Sequence, residues 1–123
     1  MAHHDAAWFD AQYNNRARVP EAAANLLPRW AEASALVRSR MTCALDLPYG
    51  DGPGEALDVF PARDSGSPIL VFIHGGYWRA LDKADHSFVA PAFVQAGAMV
   101  VVPNYALCPA VGIEQIALQT TQA

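Results

Sequence analysis

The sequence predicts an α/β fold, and three features of its hydrophobic pattern support this. Apolar residues recur every three or four positions over 5–15 and 20–40, which is typical of amphipathic helices. The period changes to two over 42–60, as in antiparallel strands. Two continuous apolar runs follow at Ile69–Ile73 and Ala98–Val102, with a helical pattern between them. That order predicts a strand, a helix and a second, parallel strand.

The first 40 residues are predicted to be helical segments that precede an α/β domain of residues 41–123. Their second half is rich in Ala, Leu and Glu, which are strong helix formers. Pro28 is expected to begin a new helix or to bend the old one, because proline lacks an N–H and clashes with the preceding turn. Trp8 and Trp30 are expected to anchor these helices in a core or an interface.

Residues 42–60 are predicted to form an antiparallel hairpin. Apolar residues alternate with others on both sides of the turn-forming stretch PYGDGPG, beginning with Cys43, Leu45 and Leu47. The run Ile69–Ile73 has no alternation and is rich in β-branched residues, so we expect a central strand that is covered on both faces.

The crossover between the two apolar strands is expected to be helical and to end at Gly97, where a C-terminal cap glycine belongs. Asp82 and Asp85 are both candidate N-caps, and Pro91 indicates either a kink or a helix start. A last amphipathic helix is predicted over 113–120. Because no further parallel strand follows, the strand MVVV is expected to need a missing neighbour, and the chain to be the N-terminal half of a larger domain.

Composition excludes several classes of function. The chain has 123 residues, is 53% hydrophobic and 16% charged, and carries a formal net charge of −4, so it gives no basic surface for nucleic acid or an anionic membrane. It contains no apolar stretch of about 20 residues and no N-terminal signal pattern, and the cytoplasm is the expected location. Cys43 and Cys108 stand apart and are expected to act as small hydrophobic residues.

The stretch ILVFIHGGYWRALDK, residues 69–83, carries the chemistry. At the carboxyl end of a parallel strand, backbone N–H groups leave the ladder, and a glycine pair allows a sharp turn. Such amides can face the oxygen that becomes negative when a carbonyl is attacked, where each donor contributes about 3 to 4 kcal/mol. The pattern therefore predicts an oxyanion hole, with Trp78 and Tyr77 as aromatic surface for a substrate.

These residues resemble a known family. The HGGYW motif after a hairpin and a strand, followed by VVPNYALCP, looks like the N-terminal half of an α/β-hydrolase of the esterase and lipase branch. More narrowly, HGGYW together with YNNRARVPE and NYALCPAV is similar to the kynurenine formamidase-like (arylformamidase-like) hydrolases, and the resemblance covers nearly the whole chain. The asparagines of YNNR, residues 13–16, suit a helix end, but no other role follows from the sequence.

The resemblance implies a role for each motif residue. The backbone amides of Gly75, Gly76 and Tyr77 would form the oxyanion hole, while His74 would brace the turn by hydrogen bonding. Trp78 would line the pocket, and Tyr105 would make supporting contacts. The implied parent protein is a serine hydrolase that cleaves a small ester or amide, such as the arylformamide N-formylkynurenine, without a cofactor.

The catalytic triad is not found in this sequence. No G-x-S-x-G occurs among the 123 residues, and the family's acid and histidine follow the serine along the chain. We therefore expect this polypeptide alone to be inactive. The alternative function is a non-catalytic module that folds or acts only with a partner chain, and self-association into a homo-oligomer is left open.

Plainer interpretations exist for each motif. The glycine pair would also suit a tight turn without chemistry, and Trp78 and Tyr77 would also suit core packing. His74 as a general base is disfavoured, because the triad order requires a later histidine. A nucleotide site is disfavoured as well, since HGGYW is neither G-x-G-x-x-G nor a P-loop.

A metal site in the stretch DKADH is also disfavoured. Asp82 and Asp85 suit a helix N-terminus, and His86 has no further ligands at a fitting spacing. We therefore predict no metal.

Overall fold

The computed structural model describes residues 3–123 and contains helices on a mixed sheet. The helices in this part of the chain are α1 (Ala6–Tyr13), α2 (Asn15–Arg18), α3 (Pro20–Arg40), α4 (Ala90–Gln95) and α5 (Ile113–Gln122). The strands are β1 (Ala44–Pro48), β2 (Ala56–Phe60), β3 (Ile69–Val71) and β4 (Met99–Pro103). Two short 3₁₀ helices, Lys83–Asp85 and Ser87–Val89, precede α4. The predicted α/β class is confirmed.

The four strands form one sheet in the order β1-β2-β4-β3. β1 pairs with β2 and β2 with β4 in antiparallel fashion, while β3 pairs with β4 in parallel. The predicted hairpin and the predicted parallel unit are therefore both present. The expectation that β4 needs a missing neighbour is wrong, because the second strand of the hairpin occupies its other edge.

β3 is the strand whose outer edge is open in residues 3–123, and the expectation that it is covered on both faces is wrong for this chain. Ile69, Val71 and Ile73 alternate on one face and are 63%, 51% and 52% exposed. Leu70 and Phe72 point the other way and pack against the core. Within the described residues β3 has a single strand neighbour, and the sheet face that carries Ile69, Val71 and Ile73 is left largely uncovered.

β1 is strand-like but does not bury the alternating apolar residues. All five of its residues are exposed, and its pairing with β2 is irregular between Ala44 and Leu47. Asp46, inside this irregularity, has a φ of 55°. A bulge of this kind bends an edge strand and interrupts its regular pairing. The two-residue period of the sequence therefore predicted the strand correctly, but the alternating apolar side chains of β1 are not buried.

The core lies where α3 and α4 cover one face of the sheet. Phe60, Ala90, Val100 and Val102 are fully buried there, and Val37 of α3 packs against them. Since the two residues in β4 alternate with half-buried ones, the central strand supplies the middle of this core.

α3 has the predicted bounds and runs through Pro28 as one helix, so a new helix does not start there. Contacts beyond Pro28 hold the helix in place. Ser34 Oγ accepts a hydrogen bond from Phe88 N at 3.1 Å, and Arg38 donates to Ala84 O and to Ser87 Oγ. These contacts fix α3 on the two 3₁₀ helices, and the division of the chain at residue 40 stays a prediction.

The two tryptophans of the leading helices differ. Trp30 is half-buried, and its ring lies 5.8 Å from that of Phe88 and 6.1 Å from that of His86. Trp8 is 38% exposed on α1, which buries none of its residues. Trp8 therefore does not anchor a core in residues 3–123, because α1 lies outside the main packing.

The crossover resolves the alternatives that the sequence leaves open. Asp82 caps the first 3₁₀ helix in a reciprocal capping box with Asp85. Pro91 stands in the first turn of α4, as a helix start requires. Gly97 follows the end of α4 with a φ of 93°, in agreement with the predicted glycine cap.

Cys43 and Cys108 are both free thiols. None of the helices between residues 3 and 123 has the length and apolar character that crossing a bilayer requires.

Candidate active site

The candidate site lies where β3 and β4 end at the same edge of the sheet. Because the two strands are parallel, their carboxyl ends place His74 and the following loop beside Asn104 and Tyr105. In open α/β sheets, ligands bind at such carboxyl ends. The structure therefore brings together the predicted site residues of both segments.

The loop after His74 turns in a left-handed conformation. Gly76, Tyr77 and Trp78 have φ values of 125°, 54° and 56°. A Cβ at Gly76 would lie 2.0 Å from Ala80 O, whereas a Cβ at Gly75 would meet nothing within 4 Å. The turn thus requires glycine at position 76 and not, for steric reasons, at position 75.

The backbone amides of this turn lie outside the sheet ladder. Within residues 3–123, the N–H groups of Gly75, Gly76 and Tyr77 donate no hydrogen bond to the protein. The carbonyls of the turn are engaged: Arg79 N donates to Gly76 O at 3.1 Å, and Cys108 N donates to Trp78 O at 2.7 Å. Free amides can donate hydrogen bonds to an anion, and carbonyls that are bonded to the protein hold the turn in place. Both features suit an anion-binding turn.

His74 is buried directly behind the turn. It is 2% exposed, with Nε2 3.0 Å from Asn104 Oδ1 and Nδ1 2.9 Å from Gly75 O. The Tyr105 hydroxyl donates to His74 O at 2.6 Å. These contacts hold His74 behind the turn and leave its ring closed off from solvent, and the supporting roles of His74 and Tyr105 stay predictions.

Three aromatic rings stack in this support. The ring centroids of His74 and Tyr105 are 4.3 Å apart and nearly parallel, and those of His74 and His86 are 5.5 Å apart. Burial raises the pKa of the Tyr105 phenol, so the hydroxyl stays a neutral donor to His74 O.

Asn104 joins the turn to the first 3₁₀ helix. Its Nδ2 donates to Asp82 Oδ2 at 2.7 Å, and its Oδ1 accepts from Lys83 N at 3.3 Å. Its backbone is also fixed, since Asn104 N donates to Ala56 O and Tyr49 Oη donates to Asn104 O. Every polar group of Asn104 therefore has a partner.

A buried ion pair fixes the same 3₁₀ helix to the hairpin. Lys83 Nζ lies 2.7 Å from Asp58 Oδ1 and 2.7 Å from Asp46 Oδ1. Burial acts to lower the pKa of Lys83, but the hydrogen bonds and charges of the two carboxylates outweigh it and raise the pKa above its usual value. The hydrogen bond and charge of Lys83 lower the pKa of Asp46. Lys83 is therefore a cation at neutral pH.

Tyr77 and Trp78 face open clefts and not the core. They are 60% and 47% exposed, and with Gly76 they line a cleft of about 730 Å³ whose other wall is the N-terminal helices. Asn15 Nδ2 donates to the Tyr77 hydroxyl at 3.2 Å across this cleft. The remaining lining residues belong mainly to three stretches: residues 13–16, the first half of α3, and residues 79–81.

A second, smaller cleft of about 320 Å³ lies on the other side of Trp78. His74 and Tyr105 form its floor, and Ile113 and Ile116 of α5 form one wall. Trp78 therefore lines both clefts.

No metal-binding geometry is present in the part of the chain that the structure describes. Among residues 3–123, no three His, Cys, Asp or Glu side chains are placed to share an ion. Asp82 and Asp85 are engaged in the capping box, and His86 Nδ1 lies 3.0 Å from Asp82 O. The helix-terminus interpretation of DKADH is thus the one that the structure follows.

Sequence reasoning missed three contributors to the site. Asn104 could have been found, since it is a polar residue directly after a buried strand at the edge that carries the glycine turn. Lys83 is buried although lysines are rarely so, and its partner Asp58 lies 25 residues earlier, so no local pattern indicates the pair. Residues 13–16 gain a position beside Tyr77 that the sequence alone does not show.

The chain is similar in sequence to curated proteins of known name. A kynurenine formamidase of Danio rerio is 42% identical over 74 residues, which are 58% of this chain and 25% of that protein. A kynurenine formamidase of Salmo salar is 32% identical over 101 residues, which are 80% of this chain and 34% of that protein. The chain thus spans a quarter to a third of the length of these curated relatives. No protein-family model matches it.

Solved structures show the same fold. The crystal structure of a protein assigned as a thioesterase from Silicibacter sp. TM1040 superposes with a TM-score of 0.80 and 38% sequence identity, covering 89% of this chain and 42% of that one. This chain is therefore kynurenine formamidase-like in sequence, and its mixed sheet with flanking helices is part of an α/β-hydrolase fold.

Proposed function

We propose that the complete protein is a serine hydrolase that cleaves a small ester or amide, and that the turn at residues 74–78 is its oxyanion hole. The observation that carries this proposal is the set of free amides at Gly75, Gly76 and Tyr77, at the carboxyl end of β3. The similarity to kynurenine formamidases supports a hydrolase of this class.

The chemistry needs such amides at one step. A serine oxygen attacks the acyl carbon, its proton passes to a histidine base, and the carbonyl oxygen becomes negative. The C–N or C–O bond then breaks, the leaving group takes that proton, and water hydrolyses the acyl-enzyme. Donors fixed before the reaction stabilise the negative oxygen by about 3 to 4 kcal/mol each.

We propose an arylformamide, such as N-formylkynurenine, as the substrate. Tyr77 and Trp78 present exposed aromatic faces beside the amides, and a flat aryl group would pack against them. The cleft between this turn and the N-terminal helices has the size of a small-molecule site. Chains named kynurenine formamidase share 32% and 42% of the matched residues.

We place the triad outside residues 1–123, because this sequence contains no G-x-S-x-G. Residues 1–123 alone would then be inactive, since an oxyanion hole without a nucleophile forms no acyl-enzyme.

The test uses the protein expressed from the whole reading frame that encodes this chain. Hydrolysis of N-formylkynurenine, and its loss when the serine of a G-x-S-x-G is changed to alanine, is the expected result. Cleavage of p-nitrophenyl acetate without cleavage of the arylformamide would reject the proposed substrate but would still support an esterase activity. A reading frame without a G-x-S-x-G motif would reject the proposal of a serine hydrolase.

A second candidate is a module that folds or acts only with a partner chain, and the open edge of β3 is the observation that favours it. An exposed apolar edge strand pairs readily with another strand. The proposed partner is a second copy of residues 1–123. Size-exclusion chromatography of this polypeptide would show a dimer or larger species. A monomer with a cooperative thermal transition would contradict this function.

A further inference from the structure

We propose that Asn104, held by Asp82, is a positioning residue for the turn at residues 74–78. It acts by requiring a hydrogen on Nε2 of the His74 ring, which fixes the orientation of the ring, and through the ring it sets the direction of the free amides. The consequence for catalysis rests on the proposed function, but the hydrogen-bond relay does not.

The orientation of the Asn104 amide follows from its neighbours. Asp82 Oδ2 can only accept a hydrogen bond, so the atom 2.7 Å from it must be the Nδ2 donor. The other atom, Oδ1, then faces Lys83 N, which can only donate. Both contacts give the same orientation of the Asn104 amide. If Oδ1 and Nδ2 of Asn104 were exchanged, both hydrogen bonds would be lost.

The orientation of Asn104 sets the form of His74. Oδ1 lies 3.0 Å from His74 Nε2, and an oxygen acceptor at that distance requires hydrogen on this nitrogen. His74 is buried, so no solvent competes for the contact. The carboxylate of Asp82 thus specifies a hydrogen on Nε2 of a ring that it does not touch.

The ring in turn fixes two peptide planes. In a trans peptide the C=O and the next N–H point in opposite directions. His74 O is held by the Tyr105 hydroxyl at 2.6 Å, which directs Gly75 N–H. Gly75 O lies 2.9 Å from His74 Nδ1. Both ring nitrogens thus face oxygen acceptors, and the ring that satisfies both contacts carries hydrogen on both nitrogens; its Nδ1–H donates to Gly75 O and so directs Gly76 N–H. The two amides therefore inherit their directions from the support behind them.

Reciprocal substitutions separate this relay from simple stability. In Asn104→Asp two carboxylates face each other, and in Asp82→Asn two amides do. The double variant Asn104→Asp/Asp82→Asn restores every hydrogen bond, because the amide introduced at position 82 donates to the carboxylate introduced at position 104, and asparagine remains a good cap. Tyr49→Phe is the matched control, because it removes a hydrogen bond to the backbone of Asn104 and leaves the side-chain relay intact.

The measurement is ¹⁵N NMR of the 123-residue chain, covering the His74 ring and the backbone order parameters of Gly75–Tyr77. The wild type and Tyr49→Phe are expected to show hydrogen on Nε2 and order parameters of about 0.85. Asp82→Asn should lose the Nε2–H signal and lower the order parameters below about 0.6, and the double variant should recover both. Asn104→Asp should keep the Nε2–H signal, because its carboxylate still accepts a hydrogen bond there. A wild-type ring protonated on Nδ1 alone, or an Asp82→Asn variant that leaves the ring unchanged, would overturn the relay.

The complete protein separates this inference from the proposed function. Asp82→Asn is expected to lower kcat for arylformamide about 10-fold with an unchanged KM, and the double variant to restore it. If the NMR signals respond as stated while kcat does not, the relay stands and the oxyanion role of the turn fails. If the NMR signals do not respond, the relay fails whatever the activity.

Discussion

Lys83 Nζ lies 2.7 Å from Asp58 Oδ1, and both side chains are almost completely buried. The second carboxylate on this amine, Asp46, lies at the same distance but has a side chain that is 77% exposed. The ion pair ties the 3₁₀ helix that follows the glycine turn to the middle of β2. Its two carboxylates differ in burial, and so should differ in their effect on stability.

Asp58→Asn should therefore destabilise the fold far more than Asp46→Asn. Removing one charge of a buried pair costs about 3 to 5 kcal/mol, whereas an exposed pair contributes about 0 to 1 kcal/mol. Asparagine keeps the shape of both side chains and tolerates the positive φ of Asp46. Urea unfolding of both variants gives the comparison, and equal losses would show that Lys83 does not depend on the buried partner.

The same amine predicts a loss of stability at alkaline pH. The pKa of Lys83 is raised above its ordinary value of 10.5, so its stabilising contribution is complete below that pH and disappears as the pH rises through the folded value. Burial also raises the pKa values of Tyr49 and Tyr105, so these two groups likewise make the fold less stable as the pH rises.

A Lys83→Met variant isolates the lysine in that pH dependence. The free energy of unfolding, measured by urea titration, should fall more steeply above about pH 10 in the wild type than in the variant, because only the tyrosines then remain. Identical slopes would mean that the carboxylates do not stabilise the ammonium.

The two glycines of the turn should respond differently to alanine. Gly76→Ala places a Cβ 2.0 Å from Ala80 O at a φ of 125°, and strain of this kind costs about 1 to 3 kcal/mol. Gly75→Ala meets nothing within 4 Å and should change stability by less than about 0.5 kcal/mol. Thermal unfolding of the pair gives the result, and an equal loss in both would contradict the turn described here.

Trp78 should affect substrate binding more than stability. Trp78→Ala in the complete protein is expected to raise KM for an arylformamide about 10-fold, equivalent to about 1.4 kcal/mol of aromatic contact. Trp78→Phe should recover most of that loss. Because the side chain is half exposed, the melting temperature should shift little. A large loss of stability with unchanged KM would assign Trp78 to packing.

The sequence predicted the order of elements well because hydrophobic periodicity is local. The bounds of α3 and the hairpin-then-parallel arrangement both follow from it. Pairing across the sheet is not local, and the expected gap beside β4 was wrong because β2 lies there. The expected burial of β3 was wrong because the sheet face that carries Ile69, Val71 and Ile73 is left largely uncovered in residues 3–123, and an apolar run does not show what covers each face.

The site was predicted in part. The glycine turn and the support from His74 follow from a contiguous motif, whose residues must be neighbours. Asn104 and Asp82 meet through the parallel alignment of β3 and β4, and the Lys83–Asp58 pair spans two elements. Such contacts depend on three-dimensional placement, which a single sequence does not contain.

The free amides of Gly75, Gly76 and Tyr77 are proposed to hold a negative oxygen, and every catalytic role given above depends on this. The most direct test is a crystal structure of the complete protein with its nucleophile phosphonylated, since the phosphonyl oxygen occupies the oxyanion position. We expect that oxygen within about 3.1 Å of at least two of these nitrogens. An oxygen bound by other donors, with the turn empty, would contradict the proposal.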